Sequence, residues 1–185
     1  MKYAVVNQEA DMESTGKIPA PLESEEEFVE TVKKLYDQYR KDIDGIAISL
    51  PGYINPDEGV LIGSGAYKPL YSKNIVYLLR PVCPLPITVE NDGKCAALAE
   101  VWKGALEGCK DGAVIILGSA IAGGIIKDGK IHRGRDFAAG AVSFLVTNPE
   151  EPNVLGCAFM SAAQHGLHYR MCQANNLDFG VQDYE

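Results

Sequence analysis

The features missing from this 185-residue chain narrow it before any motif is considered. No apolar run approaches the roughly 18 residues that cross a bilayer, so no helical membrane span is expected. Positive charge is scarce. Seventeen Lys and Arg against 25 Asp and Glu give a formal net charge of -8. A general nucleic-acid binder needs a surplus of cations against phosphate, so that role is not expected. The opening "MKYAVVNQEADMESTGK" lacks the charged-then-apolar order of a secretion leader, and a cytoplasmic chain is expected. The five cysteines (Cys83, Cys95, Cys109, Cys157, Cys172) are odd in number and form no C-x-x-C pair. They read as reduced thiols, not as a disulfide framework or a zinc site. His165 and His168 stand three apart, but zinc wants a third protein ligand and none is well placed, so no metal centre is expected. A Walker A loop and a G-x-G-x-x-G turn are both absent.

What is present suits a soluble α/β protein. Hydrophobic residues make up 46% of the chain, enough for a sizeable core. "KYAVV" (2–6) reads as a strand, and the turn-rich 14–24 carries a second. Residues 24–42 predict a strong helix, with Ser24 as N-cap and Glu27 completing a capping box. Its apolar residues Phe28, Val29, Val32, Leu35, Tyr36 and Tyr39 recur at helical spacing. Strands follow at 44–52 and 59–65, a helix at 72–84, a strand at 86–90 and a helix at 91–108. Residues 111–134 predict two or three strands joined by glycines, and 137–146 one more extended piece. Residues 149–153 read as a linker and 156–176 as mostly helical. Ile/Val-rich strands alternating with helices predict an α/β chain with a buried mixed sheet.

Three stretches carry candidate chemistry. In "ITVENDGKCAALAE" (87–100) an apolar strand ends in Glu90, Asn91 and Asp92 just where a helix starts. Ligands gather at the carboxyl ends of strands in α/β sheets. A sheltered Asp there can act as a general base on a substrate hydroxyl. The competing reading is an N-cap, because Asn and Asp are favoured at helix starts. In "LGSAIAGGIIKDG" (117–129) glycines would let backbone N–H groups approach phosphate oxygens. The competing reading is a tight hairpin with Gly123 and Gly124 in its turn or at a bulge. In "SLPGYINPDEGVLIGSG" (49–65) Gly52 permits close backbone approach, in a loop that could close on a ligand or in an ordinary Pro-Gly turn.

Taken in order, "DGIAISLPGYINPDEGVLIGSG", "LPITVENDGKCAALAEVWKGA" and "VIILGSAIAGGIIKDGKIHRGRDFAAGAVSFL" resemble the ROK family of bacterial sugar kinases, glucokinase-like proteins and sugar-responsive repressors. The resemblance runs to about residue 148. It implies the actin-like ATPase (ribonuclease H-like) fold, a mixed sheet with flanking helices. Here that would be a first domain (1–108) and the start of a second, nucleotide-binding one (109–185). It implies transfer of the ATP γ-phosphate, with Mg2+, to a hydroxyl of a hexose or N-acetylhexosamine. By the resemblance Asp92 is the base, Asn91 bonds the sugar, Glu90 orients the turn, and Gly52 and Gly140 belong to the sugar side. Gly118, Ser119, Gly123 and Gly124 match the second phosphate loop.

The chain departs from that pattern. The family's opening strand and D-x-G-G-T loop have no counterpart. The phosphate loop G-T-G-I-G-G-G reads Gly118-Ser119-Ala120-Ile121-Ala122-Gly123-Gly124. The sugar-holding A-G-E-x-G-H reads Ala139-Gly140-Ala141-Val142-Ser143-Phe144, and the cysteine-rich zinc motif is absent. The expectation is therefore a sugar kinase-like chain with weak or no turnover alone. The alternatives are a non-catalytic sugar-binding or remnant ROK protein, or a subunit completed by a partner or a second copy.

Overall fold

The computed structural model describes residues 1–63, 65–151, 153–161 and 163–178. By compactness the chain divides into two units, Met1–Cys95 and Ala96–Glu185. The first begins with a hairpin of β1 (Lys2–Val6) and β2 (Met12–Lys17), Lys2 opposite Lys17. Helix α1 (Glu25–Tyr39) follows. Ser24 caps it, its hydroxyl accepting from the Glu27 N–H (3.1 Å), an interaction worth about 1 kcal/mol. The Glu27 carboxylate reaches back to the Glu23 N–H (3.1 Å), one residue earlier than the expected box. Three glutamates in the first turn suit the positive end of the helix dipole. Phe28 and Val32, one turn apart, are the residues it buries.

Strand β3 (Ile46–Leu50) leads into the antiparallel β4 (Tyr53–Asn55), β5 (Val60–Gly63) and β6 (Lys73–Asn74). The pattern of 72–84 predicts one longer helix, but α2 covers only Ile75–Leu79. Its start is moved inward because Lys73 is paired with Leu61, and the Asn74 side chain then caps the helix through the Tyr77 N–H (2.9 Å). Strand β7 (Ile87–Asn91) pairs parallel with β3, Ile46 opposite Ile87 through Leu50 opposite Asn91. The whole β4–α2 segment is the crossover such a pairing requires. The core of this unit gathers Phe28, Leu50, Ile54, Leu61, Ile75 and Val89, each 2% exposed or less. Such side chains are worth about 1.5–3 kcal/mol each on burial.

Helix α3 (Asp92–Lys103) is shorter than the predicted 91–108. It stops where the Glu100 carboxylate folds over the end and accepts from the Ala105 N–H (2.7 Å), and a turn carries the chain on to Gly108. The division into units falls inside α3, before the 108/109 boundary drawn from the sequence. In the second unit β8 (Gly112–Leu117), β9 (Ile121–Lys127) and β10 (Lys130–His132) form an antiparallel sheet in the order β10-β9-β8. The extended piece expected at 137–146 is not a strand. Phe137 (φ 59°) and Gly140 (φ 80°) break it, and only Val146 makes an isolated bridge, to Cys157. Helices α4 (Ala158–Ser161) and α5 (Ala163–Ala174) follow. Among the described residues no helix is long and apolar enough to cross a membrane.

Candidate functional site

Parallel pairing brings the carboxyl ends of β3 and β7 side by side. Leu50 faces Asn91, so the Pro51-Gly52 turn that follows β3 lies beside the junction that follows β7. Gly52 makes that turn with φ at 107°, a conformation open to glycine and strained for other residues. The Asn91 amide ties the two chain segments together. Its Nδ2 donates to the Gly52 carbonyl (2.9 Å) and to Asp92 Oδ1 (3.0 Å), while its Oδ1 accepts from the Lys94 N–H (3.1 Å). The last bond is an N-cap of α3, so the capping reading of Asn91 holds. Glu90 is 9% exposed, and its Oε1 accepts from the Asn91 N–H (2.8 Å). The turn is thereby held from both sides.

Asp92 stands at the first position of α3. Its Oδ1 accepts from the Gly93 N–H (2.8 Å) as well as from Asn91; Oδ2 receives neither bond. Crowding by the surrounding protein raises the pKa of this carboxyl above the usual aspartate value, against the pull of those bonds and of the nearby Lys94 charge. The side chain nevertheless keeps contact with solvent, which screens the effect. The result is an anchored carboxylate with one oxygen fixed, able to take a proton from a hydroxyl placed against the other.

Sequence reasoning missed two neighbours. Lys94, the third residue of α3, is 2% exposed, a lysine side chain enclosed near Asp92. Cys95 bonds Ser49 of β3; burial pushes its thiol up, and Glu90 and Asp92 push it the same way. The available signal was a lysine inside a block of small residues, where an ordinary solvated lysine is out of place.

The remaining candidates lie in the second unit. Gly118 and Ser119 form the turn between β8 and β9, closed by the Gly118 N–H donating to the Ala120 carbonyl (2.9 Å). Gly123 and Gly124 are not in that turn. They sit within β9, opposite Ile115 and Val114. Their smallness serves close packing: a Cβ on Gly123 would stand 2.8 Å from the Gly140 carbonyl oxygen, and one on Gly140 would stand 2.9 Å from the Gly124 Cα. Gly140 therefore belongs with Gly123 and Gly124. The turn carbonyls meet the start of α5, where the Gln164 and His165 N–H groups donate to Gly118 and Ser119 (3.0 Å each). Helix-start N–H groups of this kind are what an anion would otherwise use.

Among the described residues no group of three or more His, Cys, Asp or Glu could hold a metal ion. A magnesium ion held through substrate phosphates needs only one or two carboxylates.

Comparison with known proteins follows the same outline. A model of the ROK family matches residues 1–170. A beta-glucoside kinase of Listeria innocua is 37% identical over 112 residues, covering 60% of this chain and 38% of that protein. A glucokinase of Halalkalibacterium halodurans is 36% identical over 116 residues, covering 60% and 33%. A ROK family glucokinase from Streptomyces griseus, in complex with glucose and AMPPNP, matches with a TM-score of 0.81 at 25% identity, over 94% of this chain and 57% of that one. The chain thus spans less than two thirds of the length of these relatives. Its mixed strands and helices are those of the actin-like ATPase fold shared by ROK sugar kinases.

Proposed function

Because the chain belongs to the ROK family, we propose that it carries the sugar-binding and proton-accepting part of an ATP-dependent sugar kinase. The observation that carries this reading is the anchored Asp92, with Oδ1 held by Gly93 and Asn91 at the mouth of the β3–β7 pair. A hexose or N-acetylhexosamine is the substrate. Its reacting hydroxyl would give a proton to Asp92 Oδ2 as the oxygen attacks the γ-phosphorus of ATP, the bond to the β–γ bridging oxygen breaks and ADP leaves. Asn91 bonds a second hydroxyl, Glu90 keeps the turn in place, and Gly52 offers close backbone approach, whereas Gly140 is taken up by its packing on Gly123 and Gly124. The donor is Mg-ATP, for whose phosphates the family resemblance nominates Gly118, Ser119, Gly123 and Gly124. Phosphoryl transfer depends mainly on positioning and charge neutralisation, so the phosphate side sets the rate. The setting is cytoplasmic.

A second reading, sugar binding with little turnover, is favoured by one specific feature. The N–H groups of Gln164 and His165 are taken by carbonyls of the 118–120 turn, and Ala120 and Ala122 carry methyls beside it. That turn does not form a ready phosphate cradle.

The test is a thermal-shift series with glucose, cellobiose, N-acetylglucosamine and N-acetylmannosamine, followed by ADP release with Mg-ATP. Specific binding raises the midpoint by mass action. Sugar-dependent ADP release that vanishes in Asp92→Asn supports the kinase. A sugar shift without ADP release supports the second reading. A folded sample that responds to no sugar overturns both.

A further inference from the structure

The sequence contains four Asp-Gly pairs, at 44–45, 92–93, 111–112 and 128–129. In such a pair the glycine nitrogen can attack the carboxyl carbon of the aspartate before it, because glycine has no Cβ to stand in the way. The fold decides which pair is set up for this. Attack needs an N–H that no backbone carbonyl holds, a carboxyl group brought against it, and a way out for water.

Among the described residues the pair at 92–93 brings these together. Gly93 is the second residue of α3, so its N–H is one of the helix-start donors with no carbonyl partner inside the helix. It donates to Asp92 Oδ1 instead (2.8 Å), which holds the nitrogen against the carboxyl group. Asn91 Nδ2 donates to the same oxygen (3.0 Å). That bond draws electrons from Cγ and would stabilise the charge gathering on Oδ1 during attack. Oδ2 receives neither bond and Asp92 is exposed, so this oxygen is free to leave. The raised pKa favours the protonated acid, the form that loses water. The other pairs differ. The Gly129 N–H is held by the Lys110 carbonyl (2.7 Å). Gly112 opens β8 opposite Ile126, and the Asp111 carboxylate accepts from the Asp128 N–H (3.1 Å). Among the described residues Gly93 is the one glycine whose N–H donates to the aspartate before it.

We propose that Asp92 and Gly93 form a site of spontaneous isoaspartate formation at the start of α3. The Gly93 nitrogen bonds to Asp92 Cγ and the Cγ–Oδ2 bond breaks. Oδ2 leaves as water, carrying the acid proton and the Gly93 amide proton. The product is a cyclic imide, which water then opens. Addition at Cγ restores aspartate. Addition at the Asp92 main-chain carbonyl carbon gives isoaspartate, whose link to Gly93 runs through Cβ. Closure turns the 92–93 peptide out of helical geometry, and a helix end, which frays, is where that costs least. Isoaspartate lengthens the main chain at the first turn and removes the carboxylate that Asn91 and Gly93 anchor. The chemistry does not rest on the sugar-kinase reading and its test uses no sugar. Only the consequence, loss of the proposed base, rests on that reading.

The full chain is held at neutral pH and physiological temperature, folded and in urea, and sampled over weeks. Carboxyl methylation by an isoaspartyl methyltransferase with labelled S-adenosylmethionine counts the product, and electron-transfer mass spectrometry of peptides locates it. In the folded chain isoaspartate should accumulate at Asp92 at least about tenfold faster than at Asp44, Asp111 or Asp128. That lead should vanish in urea, and Gly93→Ala should suppress the product at Asp92 while leaving the other three pairs unchanged. Equal rates at the four pairs in the folded chain overturn the proposal. So does the same lead in urea, which would make the local sequence and not the fold the cause. Product at Asp92 in urea but none in the folded chain also overturns it, because the helix start would then protect the pair.

Discussion

Asn91 makes three bonds that can be removed separately. Asn91→Ser keeps an acceptor for the Lys94 N–H and loses both amide donations, to Gly52 (2.9 Å) and to Asp92 (3.0 Å). Asn91→Ala loses all three. The cap is worth about 1 kcal/mol. The bond to the Gly52 carbonyl is worth about another 1 kcal/mol. The bond to Asp92 would be stronger if buried, but solvent reaches that carboxylate, so it is set at under about 1 kcal/mol. The alanine variant should therefore lose about 2–3 kcal/mol and the serine variant about 1–2. For a chain of this size that is about 2–4 °C of Tm per kcal/mol. Urea denaturation of wild type and both variants measures the difference. The same pair makes a spectroscopic prediction. The Asn91 donor lowers the Asp92 pKa, so removing it should move the Asp92 carboxyl titration upward in both variants, read by carbon NMR. Equal stabilities for Ser and Ala would refute the capping argument. An alanine variant within about 0.5 kcal/mol of wild type would refute the claim that Asn91 joins the two strand ends.

Three further outcomes follow from the same geometry. Gly140→Ala should cost more than about 2 kcal/mol, combining a positive φ with overpacking, whereas Gly129→Ala, also at positive φ but with nothing within 4 Å, should cost only about 1; equal losses in urea denaturation would show that the Gly123–Gly140 approach is looser than described. Phe28→Ala should cost about 3–5 kcal/mol by calorimetry, because its ring is 1% exposed and packs edge-on against Tyr67 at 6.0 Å. For Asp92→Asn the sign follows from the raised pKa: folding favours the protonated acid, so wild-type stability is lost as pH rises from the ordinary aspartate value through the raised one. The Tm difference between Asp92→Asn and wild type should then be more positive at pH 7 than at pH 3.5, and the opposite ordering would remove desolvation as the leading cause.

Most of the elements were legible in the sequence because their signals were local. Ser24 and Glu27 mark the start of α1, and the apolar spacing that follows gives its buried face. The strand-to-helix junction at 90–92 was legible because an apolar run stops abruptly there in two acids and an amide. What was not legible depended on pairing between distant residues. Lys73 reads as part of a helix until Leu61 is known to sit opposite it. Gly123 and Gly124 read as a turn until the β8–β9 register places them inside a strand, where Gly140 needs their lack of side chains. Lys94 could not be seen as enclosed, because the cover over one turn of α3 is set by the fold and not by its neighbours in sequence.

Capping and chemistry at Asn91 do not compete, and counting its bonds shows how they combine. The side-chain amide has two N–H donors and an oxygen with two lone pairs. Both donors are in use, on Gly52 and Asp92, and one lone pair holds the Lys94 N–H. One acceptor position is left. A sugar hydroxyl that met Asn91 without disturbing the turn would have to donate to Oδ1. A hydroxyl that instead accepted from the Nδ2 hydrogen aimed at Gly52 would have to displace that carbonyl, and the Pro51-Gly52 turn would then move. The two cases separate in an NMR titration with whichever sugar raises the Tm. A shift confined to Asn91 and its helix marks the first, and a large shift of the amide that follows Gly52 marks the second. In either case the cap holds the Asp92 carboxylate in place, which is what the proposed base role would require of the first residue of a helix.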